Sequence, residues 1–166
     1  MRNRVDDVEK LSQILWRERE LLDSLLFHLE VERLVLMAGR TRWLVRTADD
    51  VERVLQSLRE TELLRSIASD EAAALLGLGH STSLRSLAES LHEPWQSIMT
   101  DHRDAFLLVS REIAALAESN RELLTLGLRS ARETLMGLGE EGVQGYRPDG
   151  AAVLDRSPRR LVDRSL

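Results

Sequence analysis

Cysteine is absent from the 166-residue chain, which excludes disulfides, thiolate metal sites and cysteine nucleophiles. Proline occurs three times and aromatic residues make up 4%, so neither a β-sandwich nor a disordered proline-rich chain fits. Lysine is almost missing too: Lys10 is the single lysine among 23 basic residues, a bias expected of a GC-rich genome. No block of like charge offsets the net charge of −5, and a nucleic-acid binder needs a basic face to displace counterions from phosphates. No stretch reaches the roughly 18 uncharged apolar residues of a membrane span, and Met1 to Lys10 is polar, without the apolar core of a secretion signal. These absences lead to the expectation of a cytoplasmic protein that binds no nucleic acid and does not insert into membranes.

What is present favours helix. Leucine, alanine, glutamate and arginine dominate, and 31% charged residues suit the solvated faces of a thin bundle. From Val5 to Met37, Val8, Leu11, Leu15, Glu18, Leu22, Leu25, Leu29, Glu32 and Leu36 step by three and four, the stripe of one helix. Flanking Ile14, Leu21, Leu26, Leu34 and Val35 make that stripe wide enough for two neighbours, as in a bundle of at least three helices. Glu18 and Glu32 either pair with arginines of another helix or lie at the stripe's edge, with the edge reading preferred.

Gly39 ends the first helix, and a second follows within a few residues through Trp43, Val51, Leu55, Leu58, Ala68 and Leu75. A connection that short forces antiparallel neighbours. Thr47, followed by Asp49 and Asp50, offers an alternative start as an N-cap. The run Gly77-Leu78-Gly79 stops this helix, and Ser81, Thr82 and Ser83 supply caps for a short third one through Leu91. From Pro94 to Leu138 the beat of threes and fours holds without interruption, and 45 residues would span roughly 67 Å. The first two helices are shorter, so the last ~10 residues of the fourth, around Leu128 to Leu138, are expected to outrun them and to need a partner. Gly137, Gly139, Gly142 and Gly145 mark the end of regular structure. The expected fold is all-α: an elongated antiparallel bundle of three long helices and one short linking helix over residues 1–138, with a flexible tail over 139–166.

The chain offers little chemistry. A carboxylate metal site in a four-helix bundle takes two Glu-x-x-His pairs, and Glu89 with His92 is the single such pair here. His28, His80 and His102 lack one; His28 and His80 have no nearby triad arrangement, and His102, on the stripe, is expected to pack against a neighbouring helix with its polar edge satisfied. Gly77-Leu78-Gly79 has neither the spacing nor the lysine of a phosphate loop. No enzyme activity and no cofactor are expected. Trp16, Trp43 and Trp95 read as gap fillers between helices, with Trp16 off the seam and open to a partner. Asn120, on the seam, either fixes helix register or marks where the helix leaves the bundle.

The first helix reads Ile14-Leu15, Glu18, Leu21-Leu22, Leu25-Leu26, Leu29, Glu32, Val35-Leu36, Gly39; the fourth carries Asn120-Arg121-Glu122-Leu123-Leu124; and Gly145-Tyr146-Arg147-Pro148-Asp149-Gly150 follows. In order and spacing these pieces resemble the FlgN family of flagellar type III export chaperones over about residues 8 to 150. Ala117 stands where the family often has a second asparagine, three residues before Asn120. The resemblance implies a chaperone for hook-filament junction (hook-associated) proteins, holding their terminal segments unassembled and delivering them to the export gate. Within that reading, Asn120, Leu123, Leu124, Leu128, Ala131, Leu135 and Leu138 are the expected cargo-binding residues. Tyr146 is either a docking residue for the export gate or a turn residue packed on the bundle. A coiled-coil scaffold that self-associates as a homodimer through the same stripe, or a regulator that binds another helix, stays open beside it.

Overall fold

The computed structural model describes residues 4–143, with side chains from 5 to 138. They form α1 (Arg4–Met37), a 3-10 turn (Thr41–Trp43), α2 (Leu44–Leu75), the short α3 (Leu84–Glu89) and α4 (Trp95–Val143), with no strand among the described residues. By contacts the chain divides into two units, Met1–Leu124 and Thr125–Leu166.

The first unit is a bundle whose boundaries are set by local chemistry. Gly39 and Gly77 hold φ of +62° and +72°, the left-handed region where glycine has no Cβ penalty. Around each, two backbone bonds close the helix end. Gly39 N–H and Arg40 N–H donate to Leu36 and Val35, while Gly77 N–H and Leu78 N–H donate to Ala74 and Ala73. Ser83 caps α3, its hydroxyl accepting from the Ser86 N–H at 3.1 Å. Glu93 caps α4, its carboxylate accepting from the Ser97 N–H at 3.3 Å and the Ser97 hydroxyl at 2.8 Å. Pro94 therefore stands just before α4, where its carbonyl accepts from Ile98 N–H.

Three boundaries differ from the sequence reading. Thr47 is no N-cap: it lies inside α2, buried, and its hydroxyl donates back to the Leu44 carbonyl at 3.0 Å. Threonine satisfied that way is tolerated within a helix, so the acids after it mark no start. α3 ends at Glu89, short of Leu91. α4 continues through Gly137, Gly139 and Gly142 to Val143, because each glycine in a helix costs only about 1 kcal/mol relative to alanine and good helix formers stand between them. The expected tail over 139–166 lies mostly outside the described residues.

Pairings across the bundle give the helix directions. Lys10 bonds Glu71 and Glu18 meets Arg65, so numbers rise on α1 as they fall on α2, and the two are antiparallel. Ser12 meets His102 and Asn120 bonds Leu29, separations of 90 and 91 residues, so α1 and α4 run parallel. The chain returns to the foot of the bundle through α2, α3 and the turn at Pro94.

The core is in two parts. Val8, Leu11 and Leu15 of α1 meet Ala68, Ala72 and Ala73 of α2, Leu87 and Ala88 of α3 and Met99 of α4. Farther along, Leu21, Leu25 and Leu29 meet Leu58 of α2 and Leu116 of α4. The alanines of the first cluster leave room for α3 to close on it, and each fully buried leucine there contributes about 1.5–3 kcal/mol. Around the join lie polar residues, all buried or half-buried: Ser12 and Glu18 from α1, Thr61 and Arg65 from α2 and His102 from α4.

Candidate functional site

The polar residues around the join between the clusters meet one another within the chain, though the buried Nδ1 of His102 has no hydrogen-bond partner among the described residues. The Glu18 carboxylate is 6% exposed and lies 2.8 Å from the Arg65 guanidinium. Glu18 is thus buried and paired with an arginine of another helix, not at the stripe's edge. Burial raises its pKa above the ordinary carboxylate value, outweighing the nearby Arg65 charge, and Glu62 pushes the same way. His102 is buried between Ser12, 3.5 Å from its Nε2, and the edge of the Trp16 ring, 4.9 Å between centroids. Burial lowers its pKa below the usual imidazole value, and the Arg19 charge adds to this. Trp16 itself is exposed, with the Arg19 guanidinium 4.5 Å over its ring. Trp43 fills no gap: it lies exposed in the 3-10 turn under Arg42. Trp95 does pack on the first cluster.

A half-open groove of about 390 Å³ lies at the foot of the bundle, with Val8, Ala72, Leu76, Leu91, His92, Glu93 and Trp95 among its lining residues. Among the described residues no group of three or more histidine, aspartate and glutamate side chains could hold a metal ion. Likewise none of the described helices is long and apolar enough to cross a membrane.

The residues singled out on α4 separate according to unit. In the first unit, Asn120 is 3% exposed, and its amide donates to the Leu29 carbonyl and to the Glu32 carboxylate, both at 2.9 Å. It is a bond between α1 and α4, the register-fixing alternative, and offers no open surface; Glu32 finds its partner there instead of in an arginine. Leu123 is half-buried and Leu124 is 39% exposed.

In the second unit every described side chain, from Thr125 to Leu138, is exposed. Leu128 and Leu135 are each 71% exposed, and Leu126, Met136 and Leu138 lie open as well. At ~100° per residue, Leu128, Ala131, Leu135 and Leu138 fall within an arc of about 80°, one apolar seam with the three-and-four spacing of a coiled-coil face. Leu126 and Met136 project from other sides of the helix and do not join it. Leucines this exposed, aligned on one face, leave a contiguous apolar stripe open to water. Tyr146 lies outside the described residues.

The sequence reading missed Met99, fully buried at the first cluster, because the spacing chosen for the stripe passed through Ile98 instead. It also left the Arg65 partner of Glu18 unassigned, a pairing that becomes legible only once the register of α1 against α2 is known.

A family model described as FlgN protein matches residues 1–153, nearly the whole chain. No curated protein and no solved structure matches it. With three long helices, one short one and an apolar seam left open on the last, the chain belongs to the FlgN family of flagellar export chaperones.

Proposed function

We propose that this chaperone acts in the cytoplasm on hook-filament junction proteins, binding their amphipathic terminal segments on the seam of Leu128, Ala131, Leu135 and Leu138 and delivering them to the export gate. The observation that carries the reading is the exposure of that seam in a helix whose earlier turns bury the corresponding face. A cargo segment that is unfolded before assembly gains its missing neighbours by folding along the seam. Covering three leucines contributes roughly 5–9 kcal/mol gross, and ordering the segment takes back several kcal/mol. The balance suits a complex that holds its cargo and later gives it up. Leu124 adds the last turn of the first unit to the cargo surface, and Leu123 sits beside it. Tyr146, on the glycine-rich segment that follows, is the proposed contact for the export gate.

The test is Leu128→Glu with Leu135→Glu in the full chain, measured by calorimetric titration with a junction protein. Each glutamate puts a charge where cargo would exclude water, so affinity falls by at least a hundredfold. Helical content and melting stay near wild type, because both leucines are exposed in the free chain. Unchanged cargo affinity in that variant overturns the proposal, and loss of the fold shows that the leucines are core.

A further inference from the structure

The turn that joins α1 to α2 gathers positive charge that the sequence disperses. Up to Val143 the chain carries 18 basic and 25 acidic residues, and residues 33–48 hold four of the basic ones, Arg33, Arg40, Arg42 and Arg46, and none of the acidic. No two of these arginines adjoin, so no block shows in the sequence; the turn between two antiparallel helices brings them to one end of the bundle. Arg40, Arg42 and Arg46 are exposed, and Arg33 is half-buried in the last turns of α1. Arg33, Arg40 and Arg42 meet no acid among the described residues, while Arg46 lies 4.0 Å from Asp50, which Arg53 holds more closely at 2.6 Å. The same turn exposes Met37, Trp43 and Val45, with the Arg42 guanidinium 5.1 Å over the Trp43 ring. The backbone beneath them is fixed, since Trp43 N–H donates to the Arg40 carbonyl at 3.0 Å and Arg40 N–H to that of Val35 at 3.1 Å. Tryptophan, methionine and arginine set on a rigid support are the residue types enriched where proteins anchor one another.

We propose that this tip docks an acidic segment of a partner protein, an apolar side chain seating against Trp43 while carboxylates meet Arg40, Arg42 and Arg46. Charge complementarity names the occupant, and the surroundings narrow it. Glu30 and Glu32 of α1 and Asp49, Asp50 and Glu52 of α2 stand within one to two turns of the arginines along their helices. Charges that near are screened only in part, the Debye length in physiological salt being about 8 Å. A bilayer or a nucleic-acid duplex spreads negative charge over an area wider than the tip and would repel these five acids, whereas a peptide segment can set its carboxylates on the tip alone. The site lies apart from the seam of Leu128, Ala131, Leu135 and Leu138 and stands whether or not cargo binds there.

The experiment uses the full chain, isotopically labelled for magnetic resonance, and a short synthetic peptide in which glutamates flank a single phenylalanine. Adding the peptide should shift the indole N–H signal of Trp43 and leave those of Trp16 and Trp95 in place. By fluorescence anisotropy, replacing the peptide's glutamates by glutamine should weaken binding about tenfold at low salt, three exposed ion pairs being lost, and the gap should close at high salt. Trp43→Ala should weaken binding by a similar factor and keep the salt dependence. Arg40→Glu with Arg42→Glu should abolish binding while circular dichroism stays unchanged, because both side chains are exposed. If that reversal disturbs the turn, Arg40→Gln with Arg42→Gln reads the same loss without it. Leu128→Glu with Leu135→Glu should bind the peptide like wild type, so failure at the tip and failure of the cargo reading are told apart. No shift at Trp43, equal affinity for the glutamate and glutamine peptides, or unchanged affinity in the arginine variants overturns the proposal. Binding to phosphatidylglycerol vesicles or to a DNA duplex that exceeds the peptide's and is lost on the same reversal would make a wide anionic surface the occupant and overturn it too. A concentration-dependent dimer that the reversal abolishes would do the same in favour of a second copy.

Discussion

Replacing Arg65 by methionine strands the Glu18 carboxylate. Breaking a buried ion pair from one side typically costs about 3–5 kcal/mol, but Arg65 is 38% exposed and its charge is partly screened, so the expected cost near neutral pH is about 2 kcal/mol. The cost should depend on pH in a defined direction. The Glu18 pKa is already raised in the folded chain by burial, and removing Arg65 raises it further. A carboxyl whose folded pKa exceeds its unfolded value contributes stability that is fully present below the unfolded value, 4.5, and lost as pH rises through the folded value. Urea denaturation of wild type and Arg65→Met, compared at each pH, should therefore show a difference that is largest near pH 7.5 and shrinks toward about pH 5. Glu18→Leu with Arg65→Met should recover most of the loss, since an apolar pair of similar volume needs no desolvation of charge. A pH-independent difference, or a double variant as unstable as the single one, would refute the claim that the buried carboxylate is what makes the single variant costly.

Asn120→Ala should lower stability by about 2 kcal/mol in the same assay, one hydrogen bond to a carbonyl and one to a carboxylate being lost together. The loss should be marked by faster hydrogen exchange where α1 meets α4. For His102 the sign is opposite to that of Glu18. Its folded pKa is lowered, so the stability it contributes is present above the unfolded value of 6.5 and lost as pH falls toward the folded value. Wild type should lose stability relative to His102→Leu between about pH 7.5 and pH 5, and a constant difference across that window would contradict the burial of the neutral ring.

Much of the bundle is legible in the sequence because the signals are local. Gly39 and Gly77 announce helix ends since the closing backbone bonds require a left-handed residue, and Ser83 announces a start because its hydroxyl takes an orphan N–H. Less was readable where two local rules competed. Thr47 has the composition of an N-cap, yet the same hydroxyl can donate backwards inside a helix, and packing decides between them. Trp43 falls at a helical beat but lies in the 3-10 turn, where it stays exposed beneath Arg42 and joins neither core cluster. The roles of Glu18 and Asn120 depend on which residue of another helix stands opposite, and spacing along one helix says nothing about that. The seam of Leu128, Ala131, Leu135 and Leu138 could be found from its periodicity; that Asn120 belongs to the bundle required the structure.

The central claim, that cargo covers the open seam of α4, is tested most directly by hydrogen–deuterium exchange on the full chain with and without a junction protein. Covering the seam should slow exchange in the backbone from about Leu124 to Val143, whose amides lie in the fourth helix, while the two core clusters change little. Protection confined to the first unit, for example at the exposed Leu63, Leu64 and Ile67 of α2, with residues 125–138 unchanged, would contradict it.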